Sequence, residues 1–199
     1  MRLSRFGYYG DFFIYPVAAP ALATAAILTA PPQAAPILAA VVAGVGLWTF
    51  IEYLLHRFVL HHVPYIKEMH DAHHNDQEAL IGAPTWLSMT IMFLIVFLPL
   101  DLVLDFTWAA GITAGVALGY LWYVTTHHAV HHWKFAPDGY GMRLKRRHAL
   151  HHHFDEKMNF GVTSGFWDKV FGTDVTPQVI AARRAANRAA REGQPNSTP

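Results

Sequence analysis

At 199 residues the chain is long enough for one domain, and 53% of it is hydrophobic while only 15% is charged. A formal net charge of +1 argues against a nucleic-acid-binding protein, which needs a strongly basic face. The absence of cysteine excludes a disulfide framework and a thiolate metal site, so any bound metal must be held by nitrogen and oxygen atoms.

Four apolar stretches have the length of membrane-spanning helices. They cover about residues 12–30, 37–60, 84–104 and 106–128. Prolines between residues 31 and 36 separate the first two, and Pro99, Asp101 and Asp105 mark the break between the other two. A soluble helical bundle is the alternative, but the last three stretches show little of the polar face that a soluble helix keeps.

The first stretch follows Arg2 and Arg5, so a cleaved signal peptide is an alternative interpretation, with Ala34 and Ala35 imitating a cleavage region. The apolar run is long for a signal peptide, which favours a retained membrane anchor.

The basic residues predict the orientation in the membrane. All fifteen Lys and Arg lie in residues 2–5, in residues 57–67 or from residue 134 onward. Because positive charge favours the cytoplasmic side, both termini and both histidine-rich segments are predicted to face the cytoplasm.

The fourteen histidines occupy two blocks, six in residues 56–74 and eight in residues 127–153. Each block contains one copy of the pattern H-x-x-H-H. The two copies are His70, His73, His74 and His148, His151, His152. Since residues three and four apart are neighbours on a helix, the imidazoles of each copy can converge on one point or on two adjacent points.

Two further histidine pairs precede these triplets. His127 and His131 are four residues apart and share a helix face, but His128 and His132 have the same spacing, so the register stays open. His56 and His61 are five apart, about 140° round an ideal helix, and do not share a face. They could still flank a shared centre if the helix frays there, or they could serve two different metals.

Neutral imidazole binds zinc, copper, iron and nickel. Ten well-spaced histidines exceed the needs of one ion, whereas two ions with four or five imidazoles each fit the number. A lone histidine is more often a surface or core residue than a ligand, and supporting or surface roles are predicted for the histidines beside the pattern. Those are His62, His128, His132 and His153.

Carboxylates are expected to orient the metal-binding rings. The candidates are Asp71, Asp76, Glu78, Asp155 and Glu156. Glu52, one turn before His56, has two interpretations: a catalytic carboxylate, or one paired with Arg57 or a histidine near the membrane interface.

An aromatic segment follows the last histidine. Phe166, Trp167, Val170 and Phe171 fall on one side of a short predicted helix, either at the level of the lipid headgroups or packed against the histidine core. Residues 1–176 are predicted to form a single domain, and residues 177–199 a helical and then disordered tail.

With these motifs in view, the chain resembles the fatty acid hydroxylase/sterol desaturase superfamily of integral-membrane di-metal oxygenases. The resemblance covers about residues 45–175 and runs through four histidine motifs, at residues 56–61, 70–74, 127–132 and 148–152. Residues 160–173 are similar to the fatty acid 2-hydroxylase branch in particular.

This resemblance implies an all-α integral membrane fold, with four transmembrane helices and a cytosolic helical cap that holds a di-metal site. The metal is expected to be two iron ions, although zinc can occupy such a site. The resemblance also implies the register of the third motif and the complete set of ligands. These are His56, His61, His70, His73, His74, His127, His131, His148, His151 and His152.

The implied reaction is the hydroxylation of a lipid acyl chain, at the 2-position of a fatty acid, with O2 as co-substrate. The chain has no room for a fused cytochrome b5 domain, so a separate electron donor (cytochrome b5-like or ferredoxin-like) is expected. The expected location is the bacterial inner membrane, with the site on the cytoplasmic side. The alternatives are a carotenoid or sterol hydroxylase or desaturase of the same superfamily, and a non-catalytic membrane metal-binding protein.

Overall fold

The computed structural model describes residues 2–192, and over these residues the protein is all-helical. The helices are α1 Arg5–Tyr9, α2 Asp11–Thr29, α3 Ala34–Leu54, α4 Ile66–Asn75, α5 Thr85–Ile91, α6 Leu98–Val103, α7 Phe106–His132, α8 Tyr140–His153, α9 Phe166–Val170 and α10 Pro177–Glu192. A 3-10 turn, Pro31–Gln33, precedes α3, and π-helical segments continue α3 at Leu55–Leu60 and α5 at Met92–Phe97.

Three continuous helical rods are long and apolar enough to cross a membrane: Arg5–Thr29, Pro31–Leu60 and Thr85–Val103. They correspond to the first three spans that the sequence predicts. The fourth predicted span falls within α7, whose 27 residues extend about 40 Å and are less uniformly apolar. The side chain of Asp105 begins α7 by accepting a 3.1 Å hydrogen bond from the backbone N–H of Trp108.

Helix α7 is the centre of the bundle and packs against both α2 and α3. The crossing with α3 is close because small residues meet there. A methyl group added to Gly44 would lie 2.9 Å from the Cα of Gly115, so neither position has room for a side chain. Such contacts between small residues are typical of helices that associate in a membrane.

The outer surface of the bundle is apolar. Phe13, Val42, Ile95 and Leu102 are each at least 70% exposed, and they lie on the three apolar rods. Exposed large side chains over a whole surface are unfavourable in water but are expected where lipid surrounds the protein. The distribution therefore favours a membrane protein over a soluble bundle.

The histidine-rich helices α4 and α8 lie beyond the ends of α3 and α7, on one side of the bundle. A connected loop, residues 154–165, and α9 pack back onto α3. Helix α10 begins the predicted tail, and residues 193–199, for which the sequence predicts disorder, lie outside the described residues.

Candidate metal centre

The structure brings ten histidines into two groups of five, and within each group one ring nitrogen from every histidine lies within 4.8 Å of the others. Group A is His56, His61, His70, His74 and His151; group B is His73, His127, His131, His148 and His152. These ten are the residues that the family resemblance names as ligands. That they bind metal stays a prediction.

The two groups are built in the same way. Each contains a pair from a long helix, the first and last histidines of one H-x-x-H-H triplet, and the middle histidine of the other triplet. His73 of α4 therefore belongs to group B, and His151 of α8 belongs to group A. The alternation follows from helix geometry, because residues i and i+4 point the same way while residue i+3 points to the adjacent side.

The π-helical segment explains how His56 and His61 join one group. Their rings are stacked, with centroids 5.2 Å apart and planes 17° apart. On an ideal α-helix they would point in different directions, but a π-helix has i→i+5 hydrogen bonds and brings residues five apart onto one face. Spacing alone did not predict this pairing.

Backbone carbonyl groups orient two of the rings. His56 Nδ1 donates to the carbonyl of Phe160 at 2.5 Å, and His151 Nδ1 donates to the carbonyl of Met158 at 2.8 Å. In this tautomer Nε2 of each ring carries a bare lone pair directed into group A.

Three of the five carboxylates that were expected to orient the rings have other partners. Asp71 pairs with Lys67 at 2.5 Å, Asp76 pairs with Arg2, and Asp155 pairs with Arg183. For His56 and His151, the expectation of carboxylate support was wrong, because the chain after α8 folds back and supplies carbonyl oxygens instead.

The nitrogen atoms at the centre of each group have too few protons for the neighbours they face. His70 Nε2 lies 3.1–3.2 Å from the Nε2 atoms of His56, His61 and His74, although one N–H can satisfy only one of these contacts. In group B both ring nitrogens of His73 are buried without a hydrogen-bond partner in the described residues. Converging lone pairs of this kind fit a metal ion at each group.

Burial keeps these rings neutral. It lowers the pKa of His73 to about 4 and that of His151 to about 3. The neighbouring imidazoles also lower these pKa values, because two protonated rings would repel each other. At neutral pH the rings are therefore uncharged, which is the form that binds a metal.

Glu52 holds the loop that carries the Phe160 carbonyl. Its buried carboxylate accepts from the backbone N–H groups of Val162 and Thr163 at 2.5 and 2.9 Å, and from Thr163 Oγ1 at 2.5 Å. Arg57 instead donates to the hydroxyl of Tyr53, so the predicted pairing of Glu52 with Arg57 was wrong. In the structure, Glu52 positions the loop.

Asp168 holds the same loop from the other side. Its fully buried carboxylate accepts from the backbone N–H groups of Phe160 and Gly161 and from a guanidinium N–H of Arg147. Burial raises the pKa of Asp168, and these hydrogen bonds and the charge of Arg147 oppose that rise. Sequence reasoning missed this function of Asp168.

The four remaining histidines lie outside both groups. His128 Nδ1 is 3.1 Å from the hydroxyl of Tyr8, His132 stacks on His128, and His153 Nε2 is 3.1 Å from the side-chain amide of Gln77. His62 is exposed. Of the two registers that the sequence left open, the structure thus has the one with His127 and His131, not His128 and His132, in group B.

The aromatic segment packs on α3. Trp167 Nε1 donates to Thr49 Oγ1 at 3.0 Å, and the ring of Phe171 stacks on Tyr53. Phe166 and Val170 are more than half exposed. The helix therefore makes both kinds of contact that the sequence suggested, with Trp167 directed inward and other apolar side chains directed outward.

A cavity of about 940 Å³ connects both groups to the interior of the bundle. His56 and His70 of group A and His73 and His127 of group B line one end of it. Along α7 the lining continues from His127 to Ile112, about 22 Å at the helical rise per residue. Most of the other lining side chains are aliphatic, so the cavity fits a hydrocarbon chain with one end at the histidines.

The sequence profile of the family described as Fatty acid hydroxylase matches residues 41–173, which contain all fourteen histidines. This match covers about two thirds of the chain. The chain belongs to the fatty acid hydroxylase family.

Curated relatives agree with this assignment. The Ceramide very long chain fatty acid hydroxylase SCS7 of Saccharomyces cerevisiae is 36% identical over 151 residues, covering 67% of this chain and 37% of that protein. The Fatty acid 2-hydroxylase of Mus musculus is 35% identical over 144 residues, covering 66% and 38%. The Dihydroceramide fatty acyl 2-hydroxylase FAH2 of Arabidopsis thaliana is 33% identical over 153 residues, covering 71% and 62%.

The fold of this fatty acid hydroxylase family member is similar to that of a solved structure. That structure is described as full-length scs7p with only the hydroxylase domain visible; it superimposes with a TM-score of 0.76 at 27% identity, covering 86% of this chain and 67% of that chain. The chain spans less than half the length of the yeast and mouse relatives that it matches.

Proposed function

We propose that this protein hydroxylates the acyl chain of a membrane lipid at the carbon next to the carbonyl group, using O2 and an external electron donor. The observation that carries the proposal is the meeting of two five-histidine groups with one end of a long apolar cavity. A hydrocarbon chain in that cavity has its end beside both groups. The names of the yeast, mouse and Arabidopsis relatives support the choice of an acyl chain, and the mouse and Arabidopsis names support position 2.

The proposed cofactor is a pair of iron ions, one held by each group of five histidines. Two bound iron ions would supply the redox chemistry needed to activate O2 and attack an unactivated C–H bond. The overall reaction consumes the lipid, O2, two electrons and two protons, and yields the alcohol and water. A cytochrome b5-like or ferredoxin-like protein is the proposed electron source.

The protein's own residues position the reactants. Aliphatic side chains of the cavity align the acyl chain and exclude water, because the cavity offers bulk water few hydrogen-bonding partners. The carbonyls of Met158 and Phe160 fix two rings, and Glu52 and Asp168 hold the segment that carries those carbonyls. Precise placement of the reacting carbon is the main contribution that such a scaffold makes.

The proposed membrane arrangement has four spans, with α7 as the fourth, and a cytosolic cap made by α4, α8 and the loop between α8 and α10. The confinement of Lys and Arg to the histidine side supports it. A bacterial inner membrane is the proposed location. Residues 1–176 form the proposed catalytic domain, and residues 177–199 are the proposed tail.

The proposal is tested by expressing the protein in a host without 2-hydroxylated lipids, under ¹⁸O2, and analysing the lipids by mass spectrometry. The expected product is a 2-hydroxy acyl chain with one ¹⁸O atom, formed by the native protein and by the His132→Ala control but absent with His151→Ala. Metal analysis of the same purified proteins is expected to give two irons per native chain.

The other candidate functions predict different results. A carotenoid or sterol hydroxylase would label those lipids in a host that contains them, and leave acyl chains unlabelled. A protein that only binds metal would contain iron but give no ¹⁸O-labelled product.

A further inference from the structure

A polar cluster interrupts the apolar wall of the cavity. Its members are Asp11, Tyr15, Ser88 and Tyr120, and all four line the cavity. The carboxylate of Asp11 accepts from Ser88 Oγ at 3.0 Å and from the hydroxyl of Tyr120 at 2.5 Å, while the hydroxyl of Tyr15 donates to Ser88 Oγ at 3.2 Å. Three helices, α2, α5 and α7, contribute these side chains.

Asp11 is a buried acidic residue, and burying such a group is costly unless hydrogen bonds compensate for the lost water. Asp11 is only 4% exposed and lies within an apolar rod of membrane-spanning length. Ionisable groups inside membrane proteins are costly and commonly mark a pathway or binding site for polar substrates. The proposed metal chemistry does not use Asp11, since it belongs to neither histidine group.

The cluster has hydrogen-bonding capacity left over. Each oxygen of a carboxylate can accept about two hydrogen bonds, and each Asp11 oxygen accepts one from the cluster. Beside it, Trp48 lines the same cavity, and its buried Nε1–H has no partner in the described part of the chain. The ring centroids of Trp48 and Tyr120 are 5.2 Å apart in an edge-on contact. The Asp11 carboxylate, an acceptor, and the Trp48 indole, a donor, therefore both contact Tyr120.

The cluster lies within reach of a lipid that occupies the reaction site. Tyr120 precedes His127 by seven residues, about 10 Å along α7. The cavity is continuous between them, because Tyr123 and Val124 also line it. A lipid with its reacting carbon at the histidines can therefore place a polar group carried further along its chain beside Asp11, whereas the carbonyl group bonded to that carbon stays at the histidines.

We infer that Asp11, Ser88, Tyr120 and Trp48 form a polar subsite for a neutral lipid group that both donates and accepts a hydrogen bond, which is a hydroxyl carried on the acyl chain about 10 Å from the reacting carbon. The carboxylate accepts from that group and the indole N–H donates to it. An ester has no donor to offer, so it can satisfy the indole N–H but not the oxygens of Asp11. This inference rests on the proposed function in taking the occupant of the cavity to be a lipid.

The test measures binding to the purified full-length protein in detergent, by displacement of a pyrene-labelled fatty acid methyl ester. The matched compounds are a series of monohydroxystearate methyl esters and methyl stearate, which lacks the hydroxyl. The comparison of N-methylpalmitamide with methyl palmitate is the control, because its donor lies beside the reacting carbon. The two comparisons distinguish a hydroxyl at the subsite from a donor at the reacting end of the lipid.

The expected result is that a mid-chain monohydroxystearate ester binds roughly tenfold more tightly than methyl stearate. The Asp11→Leu variant, which has a side chain of similar shape but no acceptor, should remove that preference. Tyr120→Phe frees one carboxylate lone pair, so the preference should persist or increase in that variant. Asp101→Leu, the same change outside the cavity lining, is the matched control and should keep the preference.

Equal binding of the hydroxystearate esters and methyl stearate would overturn the subsite, as would an undiminished preference in Asp11→Leu. If Asp11→Leu does not fold, loss of the preference in Tyr120→Phe would equally overturn it. Because the assay reports binding and not turnover, a donor preference without any ¹⁸O-labelled product would contradict the hydroxylase function and leave the subsite standing.

Discussion

Glu52 and Thr163 are 111 residues apart in the chain, yet Thr163 Oγ1 donates a 2.5 Å hydrogen bond to the Glu52 carboxylate. Both residues are at most 3% exposed. This contact ties α3 to the loop whose Phe160 carbonyl fixes the ring of His56, one turn after Glu52 on the same helical rod. The arrangement of the imidazole rings in group A therefore depends on a carboxylate that is not in the group.

Replacing Glu52 by alanine is expected to lower the free energy of unfolding in detergent by about 3 kcal/mol, because two buried backbone N–H groups and one hydroxyl lose their acceptor. Iron content should also fall, since the loop no longer holds the Phe160 carbonyl against His56. Glu52→Gln retains one oxygen for the backbone N–H groups and can donate to Thr163 Oγ1, so it should keep most of both properties. Equal iron content in Glu52→Ala and the native protein would contradict the positioning role.

Single-histidine substitutions should reveal two separate ions. His70→Ala removes a ring that faces three others in group A, and His148→Ala removes one that contacts His131 and His152 in group B. Each variant is expected to retain about one iron instead of two by metal analysis, and to form no product.

His132→Ala is the control for this series, because His132 is exposed and stacks on His128 outside both groups. It should retain two irons. Loss of both irons from each of the two core variants would indicate one cooperative centre rather than two separable sites.

The close crossing of α3 and α7 predicts a sharp difference between two glycines. A Cβ at Gly115 would collide with the carbonyl oxygen of Val41, so Gly115→Ala should lower the free energy of unfolding by about 1–3 kcal/mol. Gly46 is on the same α3 helix but exposed, with no atoms within 4 Å of an added Cβ. Gly46→Ala should be neutral or stabilising by up to about 1 kcal/mol. Unfolding in detergent, followed by circular dichroism, would separate the two outcomes.

The far end of the cavity should limit the length of the acyl chain. Ile112 and Leu100 line the cavity away from the histidines. Ile112→Trp is expected to shift the hydroxylated products toward shorter chains, and Leu100→Ala toward longer ones, with iron content unchanged. Mass spectrometry of the product lipids measures both shifts. An unchanged distribution in both variants would mean that the acyl chain does not extend to this end.

Much of this protein was predictable from local sequence. Apolar runs of about twenty residues predict membrane-spanning helices, because a helix of that length spans the hydrocarbon core. The three apolar helical rods of the structure have this length and composition. The repeated H-x-x-H-H triplets predict convergent imidazoles, because i, i+3 and i+4 neighbours lie on adjacent sides of a helix. The family assignment, carried by the order of four histidine motifs, is confirmed by the profile match over residues 41–173.

Only the tertiary structure decided how those histidines divide and what holds them. The π-helical turn that joins His56 to His61 depends on packing rather than on spacing, and the exchange of His73 and His151 between groups requires α4 and α8 to face each other. Carbonyl oxygens and the contact between Glu52 and Thr163 are invisible to pattern analysis, since every residue has a carbonyl and the partners are far apart in sequence. The sequence by itself determined which side chains could bind a metal and where the helices run. The meeting of the two histidine groups at one apolar cavity depends on non-local contacts, which form only when the helices pack together.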